Sequence, residues 1–234
     1  MISHEFYIRL VGIIACLLLA GCAYHGKVSR GIYHPTPRTD RADASILIVS
    51  DKNIPQQVLI TDPTSSALYD FTLEVGDGTL VAVTDFLSAF VARADAGVPG
   101  LEGQYDFVAE VRLDVGLTRA DCTANMPNLA ARQNGLCTLL MLSIRPSGSP
   151  HVLGSFSARR WGVFDKPGAA AVVRWLNKST IYLLSPVLLP IYTQLQGAQL
   201  RRQFQTHLKE MLDEISTELQ EQTDIFTSAH VSTD

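Results

Sequence analysis

YDFVAEVRLDVGLT, residues 105–118, alternates without a break. Tyr105, Phe107, Ala109, Val111, Leu113, Val115 and Leu117 fall on one face of an extended chain; Asp106, Glu110, Arg112 and Asp114 fall on the other. Side chains of a strand point alternately to opposite faces, so this is a strand with one buried side and one wet side. Strands of all-parallel sheets are covered on both faces and read as unbroken apolar runs. The alternation therefore predicts a mainly antiparallel sheet.

Downstream, TLLMLSIR (138–145) and HVLGSFSARRWGVF (151–164) make two more strands around a PSGSP turn. Upstream, ILIVS (46–50), QQVLIT (56–61) and LYDFTLEV (68–75) are short β-rich runs. After the GDG break, Thr79 to about Ala94 has Leu80, Val83, Phe86, Leu87, Phe90 and Val91 at helical spacing. Residues 169–184 read as a second helix. A last helix runs from about Ile191 to Gln222, with Leu195, Leu200, Phe204, Leu208, Met211, Leu212, Ile215 and Leu219 mostly three or four apart. The predicted fold is α+β, a mainly antiparallel sheet with helices packed on one face and a long C-terminal helix.

The amino terminus tells of compartment. Arg9 and the free amine precede about eleven apolar residues, Leu10 to Ala20, the n-region and h-region pattern of a secretory signal. A spanning helix needs about 20 apolar residues, more than this run offers. The run ends Leu19-Ala20-Gly21-Cys22. This resembles the lipobox of bacterial lipoproteins at each of its four positions. The resemblance implies cleavage before Cys22, acylation of its thiol with palmitate-type chains, and anchoring of the mature chain in a membrane. Ala23 stands where an inner-membrane retention aspartate would be, which points to the outer membrane with the chain facing the periplasm. The expected organisation is a signal peptide (1–21), a lipidated Cys22 with a flexible tether (22–44), one α+β periplasmic domain (45–222) and a loose tail (223–234).

Removing residues 1–21 takes away Glu5 and Arg9 and leaves the net charge of −4 unchanged. A mildly acidic chain without a basic stripe gives no reason to expect nucleic acid as a partner. Of four cysteines, Cys122 and Cys137 remain for a disulfide in an oxidising compartment. Closing a loop of about 15 residues contributes roughly 3 kcal/mol in the chain-entropy view. The alternatives are a metal site or a redox pair, for which there is no C-x-x-C and no neighbouring histidine cluster.

No cofactor, metal or catalytic signature stands out. GDGT (76–79) lacks the third glycine of a dinucleotide loop and the lysine of a P-loop. Arg159 and Arg160 precede Trp161 but face opposite sides of a strand. His25, His34, His151, His207 and His230 are scattered. The most apolar segment outside the signal is TIYLLSPVLLPIY (180–192), read as a broken connector because of Pro186 and Pro190. Leu184, Val187, Leu188, Leu189 and Ile191 either plug the core or form an exposed tip that contacts a partner or membrane.

A lipid anchor, a tether and a small α+β domain ending in a long amphipathic helix resemble envelope accessory lipoproteins of the YajG and transport-auxiliary type, in architecture only. The expectation is a non-enzymatic accessory or assembly factor of an envelope transport, secretion or surface-assembly complex, partnered by another envelope protein. The alternatives are a carrier or sensor of a lipid or hydrophobic small molecule, and an enzyme acting on envelope polymers.

Overall fold

The computed structural model describes residues 23–36, 38–50, 54–61, 70–116, 135–163 and 185–226. The elements in chain order are β1 (Ala23–Lys27), β2 (Ala42–Val49), β3 (Gln57–Thr61), β4 (Asp70–Glu74), α1 (Gly76–Leu87), β5 (Val91–Gly97), β6 (Phe107–Gly116), β7 (Gly135–Pro146), β8 (Gly154–Val163) and α2 (Ser185–Glu221). Short 3-10 turns occur at Glu102–Gln104 and Thr223–Phe226. The fold is α+β, with a long C-terminal helix.

The chain divides into two compact units rather than the single domain expected over 45–222. The described residues of the smaller unit are 23–26, 59–61, 70–73 and 185–202. It holds most of a three-stranded sheet, order β1-β4-β3. Tyr24 and Phe71 meet there as tilted rings 6.5 Å apart, and Leu73 is fully buried. The larger unit holds a five-stranded sheet, order β5-β2-β6-β7-β8.

That larger sheet is mixed. β6, β7 and β8 form the antiparallel meander predicted by the alternation, with Leu113 opposite Leu140 and Leu142 opposite Phe156. β2 lies parallel to both β5 and β6. Parallel neighbours need a crossover, and α1 lies in the connection that brings the chain from β2 to β5. One sheet face buries Ile46, Ile48, Phe107, Ala109, Val111, Leu113, Leu140 and Leu142 beneath α1 and the second half of α2. The α2 stripe is as the spacing requires: Phe204, Leu208, Met211, Leu212, Ile215 and Leu219 are all buried.

The other face keeps Glu110 and Arg112 exposed. Val108 shares it but is fully buried, clustered with Leu47, Val49 and Tyr105. The chain leaving β5 beside Val49 must return to begin β6 beside Ile46, so residues 98–106 lie across this corner.

Four expectations need correction. The 22–44 segment is not a plain tether: β1 forms in it, β2 begins at Ala42, and Tyr24, Val28 and Tyr33 are buried. These apolar side chains are too isolated in sequence to show a period, yet each finds a packed partner surface. The helix expected to reach Ala94 ends at Leu87, where Ala89 and Phe90 donate to the carbonyls of Phe86 and Leu87. Val91–Gly97 then pairs with β2, so ladder hydrogen bonds override the helical propensity of its three alanines. The segment after Gln222 is not loose at its start, since Ile225 and Phe226 are buried and Phe226 meets Phe107 edge-on at 5.5 Å. Finally, α2 begins at Ser185 and runs through Pro186 and Pro190 unbroken. Pro186 stands in the first turn, where the missing N–H has no intrahelical acceptor to lose.

Candidate functional site

A half-open groove of about 330 Å³ lies in the larger unit. Its walls come from the segment before β2 (Tyr33, Pro35, Thr36, Arg38), the end of α1 (Ala89, Phe90) and α2 (Asp213, Ser216, Gln220). Tyr33 is buried and meets Phe86 edge-on at 5.9 Å. Its hydroxyl bonds to Asp213 and Ser216. Burial, and then the Asp213 charge, push the phenol up to about 12, so it remains protonated and donates to the carboxylate. Arg38 lies 5.0 Å over the Phe90 ring and grips Asp40 by two bonds of 3.0 and 2.7 Å. That pairing raises the guanidinium pKa and lowers the Asp40 carboxyl. The groove presents a carboxylate, three hydroxyls, an amide and a neutralised guanidinium around two aromatic rings. Such a set recognises small polar molecules by hydrogen bonding.

A second polar group lies in the core beneath β7 and β8. His207 of α2 and Thr138 of β7 are both buried and share a hydrogen bond of 3.3 Å. Gly162 lets the helix approach: a Cβ there would sit 2.8 Å from His207 Nε2 and collide with the Gln203 amide. Arg160 reaches from β8 to Glu210 at 3.2 Å and to Glu214. Burial holds the His207 imidazole below its ordinary pKa; Glu210 opposes this and Arg160 adds to it. A depressed value means the unfolded chain takes up a proton that the folded chain refuses. The contribution of neutral His207 is whole above about pH 6.5 and is lost as pH falls from there through the lowered folded value. Urea midpoints at pH 7.5 and 5.0 should therefore separate, and His207→Gln should reduce that separation.

The residues singled out from sequence fare differently. Cys137 is buried opposite Gly116 at the loop end of the β6–β7 hairpin, and it is disulfide-bonded. Cys122, Cys22 and Leu184 lie outside the described residues, as do the side chains of Val187, Leu188, Leu189 and Ile191. GDGT is the first turn of α1 itself. The amides of Val75 and Gly76 already donate to the Gln56 carbonyl, and Gly76 and Gly78 lie tight against Gln56 and Val28. No space remains there for a phosphate, and Asp77 pairs with Arg30 at 3.2 Å. Arg160 points at α2, so the Arg159–Arg160 pair does not form one anion grip. His25, His34 and His151 are exposed, whereas His207 is buried. Among the described residues, no cluster of three or more His, Cys, Asp or Glu side chains is placed to hold a metal. Among the same residues, no helix is long and apolar enough to cross a membrane.

The groove residues Tyr33 and Arg38 were hidden because they belong to the presumed tether. Ile32 and Tyr33, an apolar pair inside a polar stretch, are the one sequence signal that could have marked it as docked.

No family model and no curated protein matches this chain. Solved structures similar to it include the following two. One is a Xanthomonas campestris protein of family DUF330, 13% identical over 90% of this chain and 99% of its own, with a TM-score of 0.41. The other is a homolog of a neuraminyllactose-binding hemagglutinin from Helicobacter pylori, 9% identical over 82% of this chain and 100% of its own, with a TM-score of 0.32.

Proposed function

We propose that the chain is an outer-membrane lipoprotein, anchored through Cys22 and facing the periplasm, that acts as a non-enzymatic accessory or assembly factor for an envelope transport, secretion or surface-assembly complex. The observation that carries this reading is the apolar run ending Leu19-Ala20-Gly21-Cys22. Two or three acyl chains anchor stably, since each buried methylene contributes about 0.8 kcal/mol. A partner protein suits a sheet face whose middle is neither core nor fully polar: Leu139 and Met141 are half-exposed beside exposed Arg112 and Glu110. The lipid-carrier alternative draws no support from the groove, whose walls hold Arg38, Asp213, Ser216 and Gln220.

Labelled palmitate fed to a bacterial host should enter the protein and be absent from Cys22→Ala. Label retained by that variant defeats the anchor. With the anchor established, capture from detergent-solubilised membranes followed by mass spectrometry should return a reproducible envelope protein. A catalytic turnover of envelope polymer by the purified chain would replace the accessory role.

A further inference from the structure

β5 is one edge of the five-stranded sheet, and its outer side has no strand beside it among the described residues. Native edges are usually blunted by prolines, lysines, bulges or very short strands. β5 has seven residues, VARADAG, with neither proline nor lysine; its register against β2 shifts once, between Ala42 and Ser45, and is regular from Arg93 to Gly97. Ala92, Arg93 and Ala96 are exposed.

The order of those residues is self-complementary. In an antiparallel pairing of two β5 strands centred on Ala94, Arg93 of each copy stands opposite Asp95 of the other. Ala92 then stands opposite Ala96, and Ala94 meets itself. A two-fold interface demands this, because one patch must complement its own image. The charged pair is already arranged in a row. Arg93 Nε lies 2.5 Å from Asp95, the Tyr105 hydroxyl donates to Asp95 at 3.0 Å, and the guanidinium stacks 5.0 Å over the Tyr105 ring. Both side chains thus lie on one face of the sheet beside the open edge. The residues that alternate with them, Ala92, Ala94 and Ala96, are small and leave room for a second strand to approach.

We propose that β5 pairs antiparallel with β5 of a second copy of this chain, with Arg93 facing Asp95 twice across the axis, so that two five-stranded sheets become one continuous sheet. Opposite charges directly across a strand pair stabilise it and like charges destabilise it. Two symmetric pairs changing sign together should weaken association on the order of tenfold or more.

The test uses the full chain, co-expressed as two differently tagged copies and captured from detergent through one tag. Wild-type copies should co-purify. Arg93→Asp with itself sets two acids against each other, Asp95→Arg with itself sets two bases, and both should lose the partner. An Arg93→Asp copy with an Asp95→Arg copy should regain it, because every acid again meets a base in the other chain. A purely intrachain role of these residues gives no such rescue. Independently, Ala94→Cys should form a disulfide-linked dimer on a non-reducing gel, whereas Ala92→Cys should need Ala96→Cys in the other copy. Wild-type copies that do not co-purify, a mixed charge pair no better than either variant alone, or Ala94→Cys that links to a different protein instead of itself would each overturn the proposal.

Discussion

Phe204→Ala is expected to lower the unfolding free energy by about 3–5 kcal/mol, the usual cost of emptying a fully buried phenylalanine site. Phe204 is inaccessible to solvent and opens the apolar stripe that α2 lays on the larger unit. Its loss leaves a void where Leu208 and Met211 continue the stripe one and two turns on, and a docked helix fills such a void only in part. Urea unfolding followed by circular dichroism should show the midpoint fall while the slope stays constant. Lys209→Ala, on the exposed side of the same helix, should stay within about 0.5 kcal/mol of wild type. Equal effects at the two positions would mean that the stripe is not the contact surface.

Gly197→Ala should destabilise, although the sequence alone predicts the reverse. Glycine inside a helix costs about 1 kcal/mol relative to alanine, so an isolated α2 would gain from the exchange. Here the Tyr24 ring packs against the Gly197 backbone, and an added Cβ would collide with the ring's Cγ. Tyr24 is buried and packed on Phe71, which limits its retreat. Overpacking of this kind costs about 1–3 kcal/mol. The double variant Tyr24→Ala/Gly197→Ala should be no less stable than Tyr24→Ala, because the collision is gone and only the helix-propensity gain remains. If Gly197→Ala instead raises stability in the wild-type background, the Tyr24 contact is not made.

The groove was illegible in the sequence for a related reason. Tyr33, Arg38, Phe90 and Asp213 come from three separate stretches, and none has a neighbour in sequence that signals a site. Tyr33 looks like one aromatic in a proline-rich leader until the Asp213 carboxylate is brought to its hydroxyl. His207 looked like one more scattered histidine. Only the depth of α2 against Gly162 turns it into a buried, hydrogen-bonded imidazole.

What the sequence determined by itself is what periodicity and local chemistry can encode. The period of two in residues 105–118 and the three-and-four spacing of 200–219 each define a buried face without reference to the rest of the chain. The β6–β7–β8 meander and the core face of α2 follow from them. Tertiary structure decided the cases where local preference and long-range pairing disagree. Val91–Gly97 carries three alanines and would continue a helix, but the edge of β2 offers it a ladder of hydrogen bonds. Residues 23–33 show no period, yet Tyr24, Val28 and Tyr33 each reach a buried surface built from distant segments. A helix or strand face is written in its own residues. The partner that stabilises a short or irregular segment is contributed by residues far along the chain, and its position exists only once the chain has folded.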